Sequence, residues 1–159
     1  MTARISFDQP KFKNVFQAML GLGAVVRKST LEPALRELVK TRASQINGCG
    51  FCIDMHTKDA RAAGETEQRL YLLSAWREAP IYSERERAAL AWTEAVTRLE
   101  HQHVADEVYE QARAAFSEEE LVALTLAIVE INGWNRFAIA FQFVAGAYQP
   151  GSLAAIKSA

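Results

Sequence analysis

Ser-x-x-Glu recurs three times in this chain, and an apolar run at helical spacing follows each copy: Ser29–Glu32, Ser83–Glu86 and Ser117–Glu120. In such a capping box the serine oxygen takes an orphan amide of the first helical turn, and the glutamate reaches back to the serine's own N–H. Sustained alternation of polar and apolar residues, the period-two signature of a half-buried strand, is absent. The fold class expected is therefore all-α.

The helices can be placed along the chain. Phe12, Val15, Phe16, Met19 and Leu20 form a stripe loosened by Gly21 and Gly23. After the first box, Pro33 falls in the first turn, where its missing donor costs little. Leu31, Leu35, Leu38 and Val39 carry that stripe to about Gln45. Asn47-Gly48 breaks the helix, with Asn47 as the expected N-cap of the next and Cys49 in its first turn. That helix is expected to run to Gly64, a natural C-terminal glycine. Thr66 caps a short helix with Leu70, Leu72 and Leu73, and Pro80 marks a loop. The second box opens a helix bearing Leu90, Ala91, Val96 and Leu99. A turn through His101 and His103 leads to a helix around Val108–Phe116. The third box opens the longest helix, with Gly133 as a candidate kink and Gly146 as its expected end. Residues 149–159 are weakly specified, as a frayed tail or an oligomer contact. Trp76, Trp92 and Trp134 read as core or interface packing.

At 159 residues and 50% hydrophobic, the chain suits one domain, 1–159, with a core of about 30–145. The formal net charge is −1 and there is no basic run to neutralise phosphates, so neither nucleic acid nor anionic lipid is expected as a partner. Met1–Pro10 lacks an apolar core of export-signal length. The most apolar stretch, Leu121–Val144, is interrupted by Glu130, Asn132, Asn135, Arg136 and Gln142, so it reads as a buried helix rather than a membrane span. The expected location is the cytoplasm, where a disulfide is transient and catalytic rather than a structural staple.

Both cysteines of the chain lie in Gly48-Cys49-Gly50-Phe51-Cys52-Ile53-Asp54-Met55-His56. On a helix, Cys49, Cys52 and His56 share one face. The thiolate is the nucleophile, yet a free cysteine, with a pKa of about 8.5, is mostly protonated at neutral pH. Cys49 gains from the free amides of a helix N-terminus. Cys52 gains from His56 one turn along, which can accept its proton. Spacing alone leaves open which effect is larger. A rigid mid-helix pair would hold its Cβ atoms about 5–6 Å apart, too far for a relaxed disulfide. A pair whose first member sits in a fraying first turn between Gly48 and Gly50 adjusts at little cost.

The stretch from Glu32 to Ala60 around this motif resembles the carboxymuconolactone decarboxylase superfamily, in its alkylhydroperoxidase D branch. The likeness continues more weakly through Glu84–Ala95 and through Ile131–Arg136. It implies an AhpD-like all-α helical bundle with the CxxC at a helix N-terminus, assembled as a trimer or hexamer. It also implies reduction of small hydroperoxides through the cysteine pair. No tightly bound cofactor or metal is then expected. A thiol-disulfide reductant protein carrying a lipoyl-like dithiol would be the external partner. By resemblance Cys52 attacks the peroxide, Cys49 donates a proton and closes the disulfide, His56 is the relay histidine and Glu37 the relay carboxylate. The branch carries a further histidine between its cysteines, where this chain has Phe51, so the site is more apolar and one donor poorer.

Three rivals accompany that reading. A zinc site would need a fourth ligand beyond Cys49, Cys52 and His56, from His101 or His103. A lactone decarboxylase or related isomerase of the same superfamily has no evident need of the thiol pair. A redox sensor or adaptor would oxidise once and turn over poorly.

Overall fold

The computed structural model describes residues 2–5 and 9–152, the side chain of His101 excepted. Among the described residues every regular element is helical. In chain order the helices are α1 (Lys13–Lys28), α2 (Pro33–Asn47), α3 (Gly50–Ala62), α4 (Glu67–Leu72), α5 (Glu84–Arg98), α6 (Asp106–Ala115) and α7 (Glu118–Ala140).

α2 is the central element, packed against α3, α5 and α7, while α1 lies on α7 and α6 on α5. Its apolar residues divide between two cores. Leu35 and Val39 join Trp92, Phe116, Leu124 and Ile128, whereas Leu38 joins Leu73, Trp76 and Leu90. A third, smaller cluster of Ala43, Ile131 and Ala138 surrounds the two cysteines. Four polar residues of α2 are buried, Lys40, Thr41, Arg42 and Ser44, and all but Thr41 have a side-chain partner. Arg42 Nε donates to Glu94 at 2.9 Å, and Trp76 Nε1 donates to the same carboxylate at 2.8 Å. Burial raises the Glu94 carboxyl, but these bonds, one from Arg77 and the charge of Arg42 outweigh it and hold the group below its usual 4.5.

The boxes at Ser83 and Ser117 form as expected, each with both reciprocal hydrogen bonds. Thr66 caps α4. The box at Ser29 does not form. Ser29 instead closes α1, its hydroxyl donating to Val26 O at 2.7 Å, and Glu32 is drawn away to pair with Arg85 at 2.9 Å. Asn47 is not a cap either. It is the last residue of α2, and its amide donates to Asn132 and Asn135 across the bundle, 2.8 Å each. α3 ends at Ala62 rather than Gly64, and α6 occupies Asp106–Ala115. α7 runs without a break through Gly133, where a Cβ would lie 2.8 Å from Met19 Cε, so this glycine admits α1. α7 stops at Ala140, short of Gly146. The expectation for the tail falls partly on residues 153–159, which lie outside the described residues.

From 141 to 152 the chain forms an irregular strap that doubles back over α3. Gly146 N donates to Asp54 at 2.9 Å, and Lys58 Nζ donates to Gly146 O at 3.2 Å and Tyr148 O at 3.0 Å. These bonds anchor the strap on α3, the helix that the dithiol opens.

Candidate active site

The turn between α2 and α3 sets the cysteines. Gly48 takes the left-handed conformation, φ 71°, that ends α2. Glycine adopts it without penalty. The next residue, Cys49, is extended and is itself the N-cap of α3, not a member of its first turn. Its sulfur accepts the Cys52 N–H at 3.3 Å, the role usually filled by a serine or aspartate oxygen. Cys49 and Cys52 are joined as a disulfide with their Cα atoms 5.4 Å apart. Because Cys49 lies outside the helical turn, the pair escapes the fixed spacing of two mid-helix residues.

One turn beyond Cys52, the His56 ring is buried and its Nδ1 lies 2.8 Å from Glu37 Oε2 on α2. A carboxylate only accepts, so Nδ1 carries the hydrogen and Nε2 is left for other work. Burial pushes the Glu37 carboxyl up. The His56 hydrogen bond and the charges of His56, Lys40 and Arg36 outweigh that and hold it below its usual 4.5. Glu37 is therefore ionised throughout the neutral range.

Cys52, His56 and Glu37 line one cavity of about 330 Å³, a size suited to a small ligand; Cys49 does not line it. Its wall is apolar along Phe16, Leu20, Phe51, Met55, Trp134 and Phe143. Phe51 stands edge-on to Phe143 of the strap, with ring centroids 5.6 Å apart. The position that carries a histidine in the resembling branch is thus packed as part of this aromatic wall.

Two residues of the site were not singled out in the sequence. Asp59 follows His56 by three positions, hence on the same helical face, a signal that could have found it. Tyr148 comes from the strap, and its hydroxyl donates to both Asp59 oxygens, at 2.8 and 2.9 Å. Burial and that carboxylate push the Tyr148 hydroxyl up to about 12, so it stays protonated. No spacing rule could connect residues that far apart in the chain.

Ligand atoms of Glu37, His56 and Asp59 lie within 4.8 Å of one another. Both carboxylates already accept hydrogen bonds, from His56 and Tyr148, so the group reads as one polar network. The zinc alternative needed two free thiolates, and here the two sulfurs are bonded to each other. Of the two candidate fourth ligands, the side chain of His101 lies outside the described residues, and His103 sits in the turn ahead of α6.

An all-helical chain with a CxxC disulfide opening one helix, and a buried histidine of that helix bonded to a carboxylate of the helix before it, defines a class of dithiol domain. The chain belongs to the carboxymuconolactone decarboxylase family, whose sequence profile matches residues 10–95, and its fold is AhpD-like. It is 44% identical over 140 residues to YdfG, an uncharacterised protein of Bacillus subtilis (strain 168), covering 88% of this chain and 95% of YdfG. Among solved structures it resembles ATU0492 of Agrobacterium tumefaciens, a protein of unknown function suggested in its name to be the antioxidant defence protein AhpD. That match has TM-score 0.87 and 43% identity, over 92% of this chain and 100% of the other. The debrominase Bmp8, solved as a cysteine-to-alanine variant with 2,3,4-tribromopyrrole, shares the fold alone. Its TM-score is 0.78 and its identity 20%, over 86% of this chain and 73% of Bmp8. No helix among the described residues is long and apolar enough to cross a membrane.

Proposed function

We propose that the protein is a thiol-dependent peroxidase in which Cys52 reduces a hydroperoxide and Cys49 resolves the product. The observation that carries this reading is the asymmetry of the dithiol. Cys52 lines the cavity beside His56, and Cys49 sits behind it in bonding reach.

In the reduced enzyme His56 takes the Cys52 proton through Nε2, and Glu37 steadies the resulting imidazolium. The amides at the start of α3 favour the thiolate. The thiolate attacks the distal peroxide oxygen, the O–O bond breaks, and an S–O bond forms. The leaving alkoxide takes the proton from His56 and departs as an alcohol. Cys49 then attacks the Cys52 sulfenic acid, and the hydroxyl leaves with the Cys49 proton as water. An external dithiol of lipoyl type, carried by a reductant protein, restores both thiols by exchange and supplies two electrons and two protons.

The cycle belongs in the cytoplasm, where the disulfide is a turnover state. Homo-oligomerisation, as a trimer or hexamer, accords with a solvent-facing apolar stripe on α7. Val122 is 71% and Val129 51% exposed there, with Leu126 between them on the same face.

Hydroperoxide consumption with excess dihydrolipoamide tests the reading. Turnover in the native protein, its loss in Cys52→Ser and a single stoichiometric oxidation in Cys49→Ser are expected. Full activity in both variants would rule the mechanism out. Activity surviving thiol alkylation would favour the lactone reading. A single oxidation of the native protein without turnover would favour a sensor.

A further inference from the structure

The charged residues of the cavity balance in number, Arg27, Arg36 and Lys40 against Glu37, Asp59 and Glu130, but they are not all ion-paired. His56 is matched to Glu37 at 2.8 Å, and Lys40 lies 2.8 Å from Glu130 Oε2. The Asp59 carboxylate accepts hydrogen bonds from the neutral Tyr148 hydroxyl and keeps its charge. Two guanidinium groups remain, Arg27 from the last turn of α1 and Arg36 from the first turns of α2. Neither is ion-paired to a carboxylate among the described residues. Arg36 donates instead to the carbonyls of Val26 and Arg27, 3.1 Å each, bonds that fix its position, while its charge acts on Glu37 without a direct ion pair. Arg27 is exposed at the rim.

The space beside them is tailored too. A Cβ on Gly23 would lie 2.6 Å from Glu130 Oε1 and 3.1 Å from Arg27 Nη1, so the bare backbone of α1 is what admits both side chains. Beyond the charges the wall turns apolar, through Phe16, Leu20 and Trp134 to Phe51 and Phe143. A site for hydrogen peroxide needs no apolar wall of this extent, and a wholly apolar ligand leaves the two guanidiniums unused.

We propose that the cavity takes an amphipathic ligand whose acid group pairs with Arg27 and Arg36 while its apolar body lies against the aromatic wall. Resting on the peroxidase reading, this makes the substrate class an organic hydroperoxide bearing a carboxylate. The acid group takes no part in the redox step and fixes orientation, as a planar carboxylate does against a guanidinium fork. It also brings the peroxide to Cys52 with its apolar end already desolvated.

Cumene hydroperoxide and its para-carboxylate share one reactive group and one ring and differ in the acid alone. The native protein should favour the carboxylate in kcat/KM by roughly tenfold, the worth of one charge-assisted contact. That preference should shrink as salt rises, because the rim is exposed to solvent. Arg27→Gln should remove most of it, and Arg27→Glu should reverse it. Arg36 also ties α1 to α2, so Arg27, which makes no such bond, is the safer position to alter.

A second arm uses the unreactive alcohols, 2-phenyl-2-propanol and its para-carboxylate, titrated against the oxidised protein through Trp134 fluorescence or calorimetry. Tighter binding of the acid, weakened by Arg27→Gln, is expected. Equal or tighter binding of the neutral alcohol would overturn the proposal, whatever the peroxidase assay gives. Selective acid binding without turnover of either hydroperoxide would uphold the acid site and overturn the peroxidase reading.

Discussion

The cavity has two unlike walls. Behind Cys52 stands a helical frame, α2 and α3 backed by α5, whose charged groups Arg42, Glu94, Glu37 and His56 are paired at short range. In front lies the strap from 141 to 152, without regular structure and held by side-chain bonds to α3, such as Tyr148 to Asp59 and Lys58 to two strap carbonyls. The frame carries the groups that must meet at fixed distances, the disulfide pair and the His56–Glu37 couple. The strap contributes Phe143 and Tyr148, which shape what enters. Chemistry on rigid elements with recognition on an irregular segment is a sound division, because bond making tolerates less misplacement than binding does.

Breaking the frame should have the largest consequence. Glu94→Ala leaves the buried Arg42 guanidinium and Trp76 N–H without their acceptor, and a loss of about 3–5 kcal/mol is expected for a broken buried pair. Denaturant melts would register it as a lower midpoint with an unchanged slope. Next comes Glu37→Gln, which keeps the shape of the couple and removes its charge. It should lower turnover roughly a hundredfold, within the range for losing general acid–base help, with little change in thermal stability.

The strap should prove milder and different in kind. Tyr148→Phe deletes hydrogen bonds to a carboxylate and should lower Tm by roughly 2–6 °C. Its kcat/KM should fall severalfold for a bulky organic hydroperoxide and stay unchanged for hydrogen peroxide. An equal loss for both peroxides would place Tyr148 with the frame and erase the distinction between the walls.

The smallest effects are those of pH, and they separate the walls by sign. Glu37 and Glu94 of the frame are held below 4.5 in the folded state, so the unfolded chain takes up their protons first. Their contribution is complete above pH 4.5 and is lost as pH falls through the folded values. Tyr148 goes the other way. Unfolded, it ionises near its usual 10, and folded at about 12, so its bond contributes fully below pH 10 and is lost between 10 and 12. Tm against pH should therefore be flat through neutrality and fall at both ends, and Tyr148→Phe should remove part of the alkaline fall alone.

The same division governs what the sequence disclosed. The helical class, two of the three capping boxes and the shared face of Cys52 and His56 follow from local spacing, and local spacing is what a helix enforces. Ser29 misled because hydrogen bonding to Val26 and the pull of Arg85 on Glu32 are choices made by neighbours, not by the four-residue pattern. Asn47 misled for the same reason, since its partners lie on α7. Glu37 was reachable only through family resemblance, because a lone carboxylate on a helix carries no sign of the histidine it will meet. The strap was illegible: with α7 stopping at Ala140, its course depends on bonds to Asp54, Lys58 and Asp59 that no periodicity encodes.

The asymmetry of the two sulfurs can be tested directly by trapping the first oxidation product. Cys49→Ser, treated with one equivalent of organic hydroperoxide and then dimedone, should give a mass adduct on Cys52, while Cys52→Ser treated alike should give none on Cys49. Labelling of Cys49, or of neither residue while the native protein still consumes peroxide, would contradict the assignment of Cys52 as the attacking sulfur.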